Sequence, residues 1–136
     1  MLYKYSESFI LHVSQANVGD DFDYSKVKTF SDIPLDRLKN IHGHNYLITL
    51  SAYSHYLDKG VVVRSEDIES IRANWDWKNL NLHPSLLNMW ASTEATAEAI
   101  LNEFISKCGK HVFKASISLN ETPDINISII KRVNHV

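Results

Sequence analysis

Four segments of the chain have the composition or alternation expected of β-strands. Residues 1–13 mix aromatic and β-branched types, and residues 44–54 place apolar side chains on one face with a period of two. Two further segments alternate in the same way near the end of the chain, at 113–120 and 125–129. The pattern therefore predicts four strands, two at each end of the chain.

Two helices are predicted between the pairs of strands, because apolar residues recur there with helical spacing. Ser65 is the expected cap of the first helix. The second helix starts near Ser92, and Lys107 followed by Gly109 is a stop signal. The apolar stripes are Ile68, Ile71 and Trp75 in the first helix and Ala97, Ile100, Leu101, Phe104 and Ile105 in the second. This order predicts one α+β domain over residues 1–136, with a four-stranded, mostly antiparallel sheet and two helices on one face.

Residues 14–40 show neither period and are rich in Asp, Ser, Gly and Pro. They predict a long loop with one short helical turn near its end. A loop of this length in a compact domain is unusual and is often functional.

Composition narrows the class of protein. A net charge of −2 without a cluster of Lys or Arg argues against a nucleic-acid partner. No apolar run approaches the roughly 20 residues that cross a bilayer, and the first residues do not resemble a signal peptide. Cys108 is the only cysteine, so an intramolecular disulfide is excluded. We therefore expect a cytoplasmic protein.

The most informative polar pattern is His42-Gly43-His44 at the start of the second predicted strand. Residues i and i+2 of a strand point to the same side, so the two imidazoles project together. Neutral imidazole is a common zinc ligand, and catalytic zinc has three protein ligands and one open position. His12, near the end of the first strand, is a candidate third ligand. The alternative is a pair of half-buried histidines that are hydrogen-bonded to backbone carbonyls.

Six short segments resemble the 6-pyruvoyltetrahydropterin synthase and 6-carboxytetrahydropterin synthase family, in its order and at close to its spacing. The segments are Phe9-Ile10-Leu11-His12, Ile41-His42-Gly43-His44-Asn45-Tyr46, Gly60-Val61-Val62-Val63, Trp75-Asp76 with Leu80-Asn81, Ala91-Ser92-Thr93-Glu94-Ala95-Thr96-Ala97 and Asn120-Glu121-Thr122-Pro123. The resemblance implies a tunnelling fold, in which three strand–strand–helix–helix–strand–strand subunits form a barrel and two trimers stack into a homohexamer. It also implies active sites at subunit interfaces.

The same resemblance implies the site residues. His12, His42 and His44 would hold Zn²⁺, although another divalent metal such as Ni²⁺ or Fe²⁺ can also occupy three imidazoles. Glu121, followed by Thr122, would bind the pterin-like substrate, because a carboxylate accepts two parallel hydrogen bonds with charge assistance.

The chain departs from the family at its proton-transfer groups. Leu38 stands where the family has its catalytic cysteine, and Arg64 stands where an aspartate is usual. The aspartate of the family's His–Asp dyad is present as Asp76, but Trp77 replaces the histidine. Leucine and tryptophan have no proton suited to this transfer, so the family's usual reaction is in doubt.

Three hypotheses follow from these departures. In the first, the protein is a zinc-dependent lyase on a dihydropterin or related heterocycle. Another base then serves: Asp36, an aspartate of the 20–23 loop, His83 or a zinc-bound hydroxide. In the second, the same scaffold acts on another substrate in a specialised biosynthetic pathway, with Trp77 facing the pocket. In the third, the protein binds a pterin without turnover.

Overall fold

One sheet and two helices make up the architecture of the protein, seen here in a computed structural model that describes residues 1–16, 21–34, 36, 41–87 and 89–134. The strands are β1 (Tyr3–Gln15), β2 (His42–Ser54), β3 (Lys78–Asn79), β4 (Val112–Thr122) and β5 (Ile125–Arg132), and the helices are α1 (Ser65–Trp75) and α2 (Thr93–Lys107). The mixed α+β class with a largely antiparallel sheet is confirmed. The described part of the 14–40 loop contains two short 3₁₀ turns, at Tyr24–Lys26 and Phe30–Asp32.

The sheet has five strands in the order β3-β1-β2-β4-β5, so the predicted count of four is one too low. The extra strand, β3, has two residues and pairs in parallel with β1. Two residues are too few to show any periodicity, which is why the sequence gives no sign of it. This short strand nevertheless matters, because it sets the chain that follows α1 against the end of β1.

One face of the sheet and the two helices enclose the core. Phe9, Leu11 and Val13 of β1 lie buried beside Tyr46 and Ile48 of β2 on this face. The apolar stripes of both helices pack on them, because the sheet alternates with a period of two and the helices with a period near 3.6. The periodicity in the sequence therefore identified the core face correctly.

The opposite face of the sheet carries no helix, and it presents serine and threonine hydroxyls beside the exposed side chains of Ile10 and Leu47. Directly opposed hydroxyls hydrogen-bond across β1 and β2, with Ser6 Oγ 2.8 Å from Ser51 Oγ and Ser8 Oγ 2.8 Å from Thr49 Oγ1. The outer edge of β5 pairs with no other strand within the described part of the chain. None of the helices in that part is long and apolar enough to cross a membrane.

The helix caps follow the predictions only in part. Ser92 caps α2, because its Oγ accepts a hydrogen bond of 3.0 Å from the backbone N–H of Ala95. The prediction for α1 was wrong: Arg64 is its N-cap, without a side-chain hydrogen bond, and Ser65 is already the first helical residue. The acidic side chains of Glu66 and Asp67 in the first turn favour this helix start through the macrodipole.

Candidate functional site

His42 and His44 begin β2 and lie close together. Their ring centroids are 4.8 Å apart and the rings meet edge to face, with an interplanar angle of 76°. Both residues occupy alternate positions of one strand, so they share a face of the sheet. The structure thus brings together the two imidazoles of the His-Gly-His motif, as the spacing predicts.

His12 lies on the neighbouring strand, but on the opposite face of the sheet from His44. The register places His12 opposite Asn45, whereas His44 is opposite Val13. Directly opposed residues share a face and successive residues alternate, so His12 is on the helix-free face and His44 on the helix-covered one. The sequence could not show this, because it depends on the register of two distant segments.

Asp76, the residue that follows α1, holds His12 in place. Its Oδ1 accepts hydrogen bonds from the backbone N–H of His12 at 2.8 Å and from His12 Nδ1 at 3.1 Å. Partial burial works in the opposite direction, but these bonds and the nearby Arg72 charge lower the pKa of Asp76 below its ordinary value. Asp76 is therefore an ionised partner of His12.

Glu121, at the end of β4, stands in the same relation to His44. Its Oε1 is 3.3 Å from His44 Nδ1, and its Oε2 accepts a hydrogen bond of 3.3 Å from Thr93 Oγ1. The adjacent Thr122 is exposed, and its Oγ1 accepts the backbone N–H of Asp124 at 3.3 Å in the turn between β4 and β5. Both oxygens of Glu121 thus have partners within the chain.

The buried hydroxyl of Tyr46 is an unusual feature beside this pair. It is the one buried side-chain N or O atom in the described part of the chain that has no hydrogen-bond partner. Its ring lies 5.7 Å from that of His44. Burial raises the pKa of Tyr46 and the charges of Glu121 and Glu94 add to the rise, while the neighbouring Thr93 hydroxyl acts in the opposite direction. A buried hydroxyl without a well-formed hydrogen bond is costly and uncommon in folded proteins.

The metal hypothesis can be tested against this geometry. Among the described residues, no three His, Cys, Asp or Glu side chains form a group that could hold a metal ion. The donor chemistry nevertheless fits zinc. His12 and His44 each have Nδ1 against a carboxylate, the arrangement that fixes the tautomer of zinc-ligating histidines and leaves Nε2 as the donor. The sequence had assigned these carboxylates other roles, so both His–carboxylate pairs were missed.

A cavity of about 530 Å³ opens at this edge of the sheet. Its lining includes His12, Ser14, His44, Asn45, Trp77 and Lys78. The volume is in the range of small-molecule sites. Trp77, which replaces a proton-transfer residue of the family, lies at this cavity, as the sequence hypothesis expected.

His83, a candidate substitute base, is placed in a packed environment. Its ring stacks on Trp75 with centroids 3.6 Å apart, Nε2 is 3.2 Å from the carbonyl of Asn74, and Nδ1 accepts the N–H of Ser85 at 3.2 Å. Burial lowers the pKa of His83. With both ring nitrogens engaged, His83 acts as a structural residue in this conformation.

The remaining candidates for the base lie in the 14–40 loop. Asp36 is exposed, and Asp23 accepts hydrogen bonds from the backbone N–H and hydroxyl of Ser25. Asp20 and Leu38, the residue at the position of the family's cysteine, lie outside the described residues.

Cys108 is the C-cap of α2 and precedes the start of β4, which pairs with the end of β2 opposite to His42 and His44. Burial, with a contribution from the Asp67 carboxylate, raises the pKa of its thiol to about 12. The thiolate is the reactive form, so this thiol is held unreactive.

We expect Cys108 in the folded protein at pH 8 to react with iodoacetamide roughly 1000-fold more slowly than in urea-unfolded protein. A rise in pKa from 9.0 to about 12 lowers the thiolate population by that factor. The measurement is a time course of alkylation by mass spectrometry. Similar rates in the two states would show that the thiol is not protected by burial.

Comparison with solved structures finds proteins that share the fold of this chain. The chain is similar to the 6-pyruvoyl tetrahydropterin synthase of Caenorhabditis elegans, with 13% identity, a TM-score of 0.68 and coverage of 95% of each chain. It is also similar to the Plasmodium falciparum enzyme of that name, with 15% identity, a TM-score of 0.65 and coverage of 97% of this chain and 99% of the other. A third match is a Plasmodium vivax enzyme described as a catalytic-residue mutant, in which a glutamate is changed to alanine. It has 11% identity, a TM-score of 0.66 and coverage of 98% and 99%.

The sequence also matches the model of a known protein family. A search of curated protein sequences finds no match to the chain. The family model described as 6-pyruvoyl tetrahydropterin synthase, however, matches residues 16–131, which is most of the chain. With the same tunnelling fold in its structural neighbours, this match shows that the chain belongs to the 6-pyruvoyl tetrahydropterin synthase family.

Proposed function

We propose that the protein is a zinc-dependent lyase that acts on a dihydropterin or a related heterocycle with an altered set of acid–base groups. The observation that carries the proposal is the pair of His–carboxylate contacts beside one cavity, His12 with Asp76 and His44 with Glu121. Two such pairs in a family member fit a metal site better than two isolated surface histidines.

Zinc would be held by His42 and His44, with His12 as the third ligand. It would supply Lewis-acid polarisation of oxygen atoms on the substrate side chain. Asp76 and Glu121 would hold the two imidazoles in the tautomer that offers Nε2. Because His12 lies on the other face of the sheet, its participation is a separate question from that of His42 and His44 and is tested separately below.

Glu121 would also bind the substrate ring, with Thr122 next to it. A carboxylate oxygen accepts an N–H group in a charge-assisted hydrogen bond. In the structure its oxygens face His44 and Thr93, so ring binding would exchange the Thr93 hydroxyl for a ligand N–H. While Oε1 stays with His44, Oε2 would accept one ring N–H in place of the Thr93 hydroxyl.

Asp36 is the candidate general base that we retain among the described residues, and it is not one of the residues that line the two cavities at Trp77. It is exposed, whereas both ring nitrogens of His83 are engaged. The catalytic-residue mutant of the P. vivax enzyme removes a glutamate, which supports a carboxylate in this role. Asp76 would then keep His12 oriented.

The second candidate function is the same scaffold used on another substrate, and Trp77 favours it. A bulky indole at the cavity changes both its shape and its polarity. A non-catalytic pterin-binding protein is the third candidate. All three share the assembly that we propose, a cytoplasmic homohexamer of two trimers. The unpaired edge of β5 supports that assembly, because an exposed strand edge is a ready site for pairing with another copy.

The test is to purify the protein without a histidine tag, measure its metal content, and incubate it with dihydroneopterin triphosphate. We expect near-stoichiometric zinc and release of a small carbonyl compound such as acetaldehyde. His42→Ala and His44→Ala should lose the zinc. His12→Ala tests the third ligand: loss of zinc there supports a three-histidine site, and retention leaves a site of two histidines.

His55→Ala is the matched control, because His55 stacks on Phe113 at the other end of β2 and should not affect the metal. Zinc without turnover would favour another substrate, or ligand binding alone if the pterin is bound and returned unchanged. A protein without metal, or equal metal in His44→Ala and the wild type, would refute the zinc proposal.

A further inference from the structure

Trp77 has a backbone conformation that is rare for its residue type. Its φ is 61°, and among the described non-glycine residues only Lys59, in the turn before α1, also has a positive φ. A bulky residue in the left-handed region is an outlier, because its Cβ crowds the backbone. Such conformations are found where function requires them and the surroundings enforce them.

Contacts with the end of β1 hold Trp77 in this backbone conformation. The backbone N–H of Trp77 donates a 2.6 Å hydrogen bond to the carbonyl of His12. The indole stacks on the His12 ring, with centroids 4.3 Å apart and planes 7° from parallel. The next residue, Lys78, pairs with β1 as the start of β3. Backbone and side chain are thus both tied to the end of β1.

Burial does not explain this arrangement. Trp77 is 77% exposed, while Trp75, two residues earlier, is fully buried. The chain therefore holds a large aromatic ring in a strained conformation and leaves most of it open to solvent. The indole is also a shared wall of two cavities, the one of about 530 Å³ beside the histidines and another of about 580 Å³ next to Lys28 and His83.

We propose that the outer face of the Trp77 indole is the surface on which the planar ring of the substrate stacks. His12 covers one face of the indole, and the nearly parallel stack directs the other face outward. A heterocycle on that face would be layered over the indole and the His12 ring, within one of the two cavities that Trp77 lines. Offset stacking of aromatic rings is favourable at such distances. The inference rests on the proposed function, for which Trp77 would be a specificity-determining residue.

The test measures ring binding, meaning the affinity for planar heterocycles, by calorimetric titration. It compares the wild type with Trp77→Phe, Trp77→Ala and Trp77→Asn. The probes are neopterin, guanosine and flavin mononucleotide, which are planar heterocycles of different size. We expect about tenfold weaker binding in Trp77→Ala, which corresponds to the loss of one aromatic pair. Trp77→Phe should stay within about threefold of the wild type, because it keeps a ring. Trp90→Phe is the control, since Trp90 lies before α2 and outside both cavities.

Trp77→Asn separates a binding role from a structural one. Asparagine accepts the left-handed conformation more readily than tryptophan, so this variant should keep or raise the melting temperature while losing ring binding. A fall of several degrees in the melting temperature of Trp77→Asn would show that Trp77 stabilises the fold. A change of oligomeric state in light scattering would assign it to a contact between copies. Either result would overturn the proposal.

The outcomes also separate this inference from the zinc proposal. Weaker ring binding in Trp77→Ala of a protein without metal would support the stacking surface and refute the zinc lyase. Zinc in the wild type, together with equal ring binding in Trp77→Ala and the wild type, would support the zinc proposal and overturn the stacking surface. Failure of the wild type to bind any of the three probes would overturn the stacking surface.

Discussion

Replacing Asp76 with asparagine, or Glu121 with glutamine, is expected to weaken zinc binding by about 10–100-fold in each variant. An amide does not carry the charge that holds the Nδ1–H of an imidazole, so the histidine loses both its fixed tautomer and some of its basicity. The contacts concerned are His12 Nδ1 to Asp76 at 3.1 Å and His44 Nδ1 to Glu121 at 3.3 Å.

The measurement is competition for zinc with a chelator of known affinity. Glu7→Gln is the control, because Glu7 accepts a 2.6 Å hydrogen bond from Tyr5 within β1 and contacts neither pair. If only the Glu121 variant loses affinity, the site consists of His42 and His44 without His12. Unchanged affinity in both variants would mean that the carboxylates have no part in metal binding.

Trp75→Ala is expected to lower the free energy of unfolding by about 3–5 kcal/mol, which is a large part of the stability of a domain. The indole is fully buried, stacks on His83 at 3.6 Å, and its Nε1–H donates to Glu103 Oε2 at 2.9 Å. The substitution would leave a cavity between α1 and the loop after β3, and a carboxylate oxygen without its donor.

Urea denaturation gives the measurement for Trp75→Ala. Trp75→Phe is the matched variant, because it keeps a buried ring and loses only the hydrogen bond and part of the volume. We expect its cost to be less than half that of alanine. A loss below about 1 kcal/mol in Trp75→Ala would contradict the tight packing around this ring.

The fold was predicted well where the sequence is periodic. Both helices and the four long strands follow from patterns that each segment shows by itself, such as the stripe that ends at Trp75. β3 was missed because two residues carry no period. The start of α1 was placed wrongly because Ser65 is a good cap in general, but the backbone leaves the extended region only after Arg64.

The candidate site was predicted less completely, for a physical reason. The His-Gly-His pair is local, so its proximity follows from strand geometry alone. The contact of His12 with Asp76 spans 64 positions and depends on how β3 is set against β1. The side of the sheet that His12 occupies depends on a register in which a shift of one residue would reverse it. No pattern in the sequence reports either quantity.

Trp77 illustrates the same limit at the level of a single residue. A positive φ is expected at glycine or asparagine, and nothing in the residue type announces it at a tryptophan. Its place in a family motif led to the expectation that Trp77 faces the pocket, and the residue lines the cavity beside His12 and His44. Its stacking on His12 and its strain became visible only in three dimensions.

The separation of the site's parts along the chain has a thermodynamic consequence. An unfolded chain offers a metal ion only the neighbouring His42 and His44, because His12, Asp76 and Glu121 are remote in sequence. A ligand that prefers the native state stabilises it by RT ln(1 + [L]/Kd), which is about 2.7 kcal/mol when the free ligand is at 100 times Kd. Weak affinity of the unfolded His-Gly-His segment subtracts from this amount. Under the proposed zinc binding, metal supply would therefore change the stability of the folded protein as well as its activity.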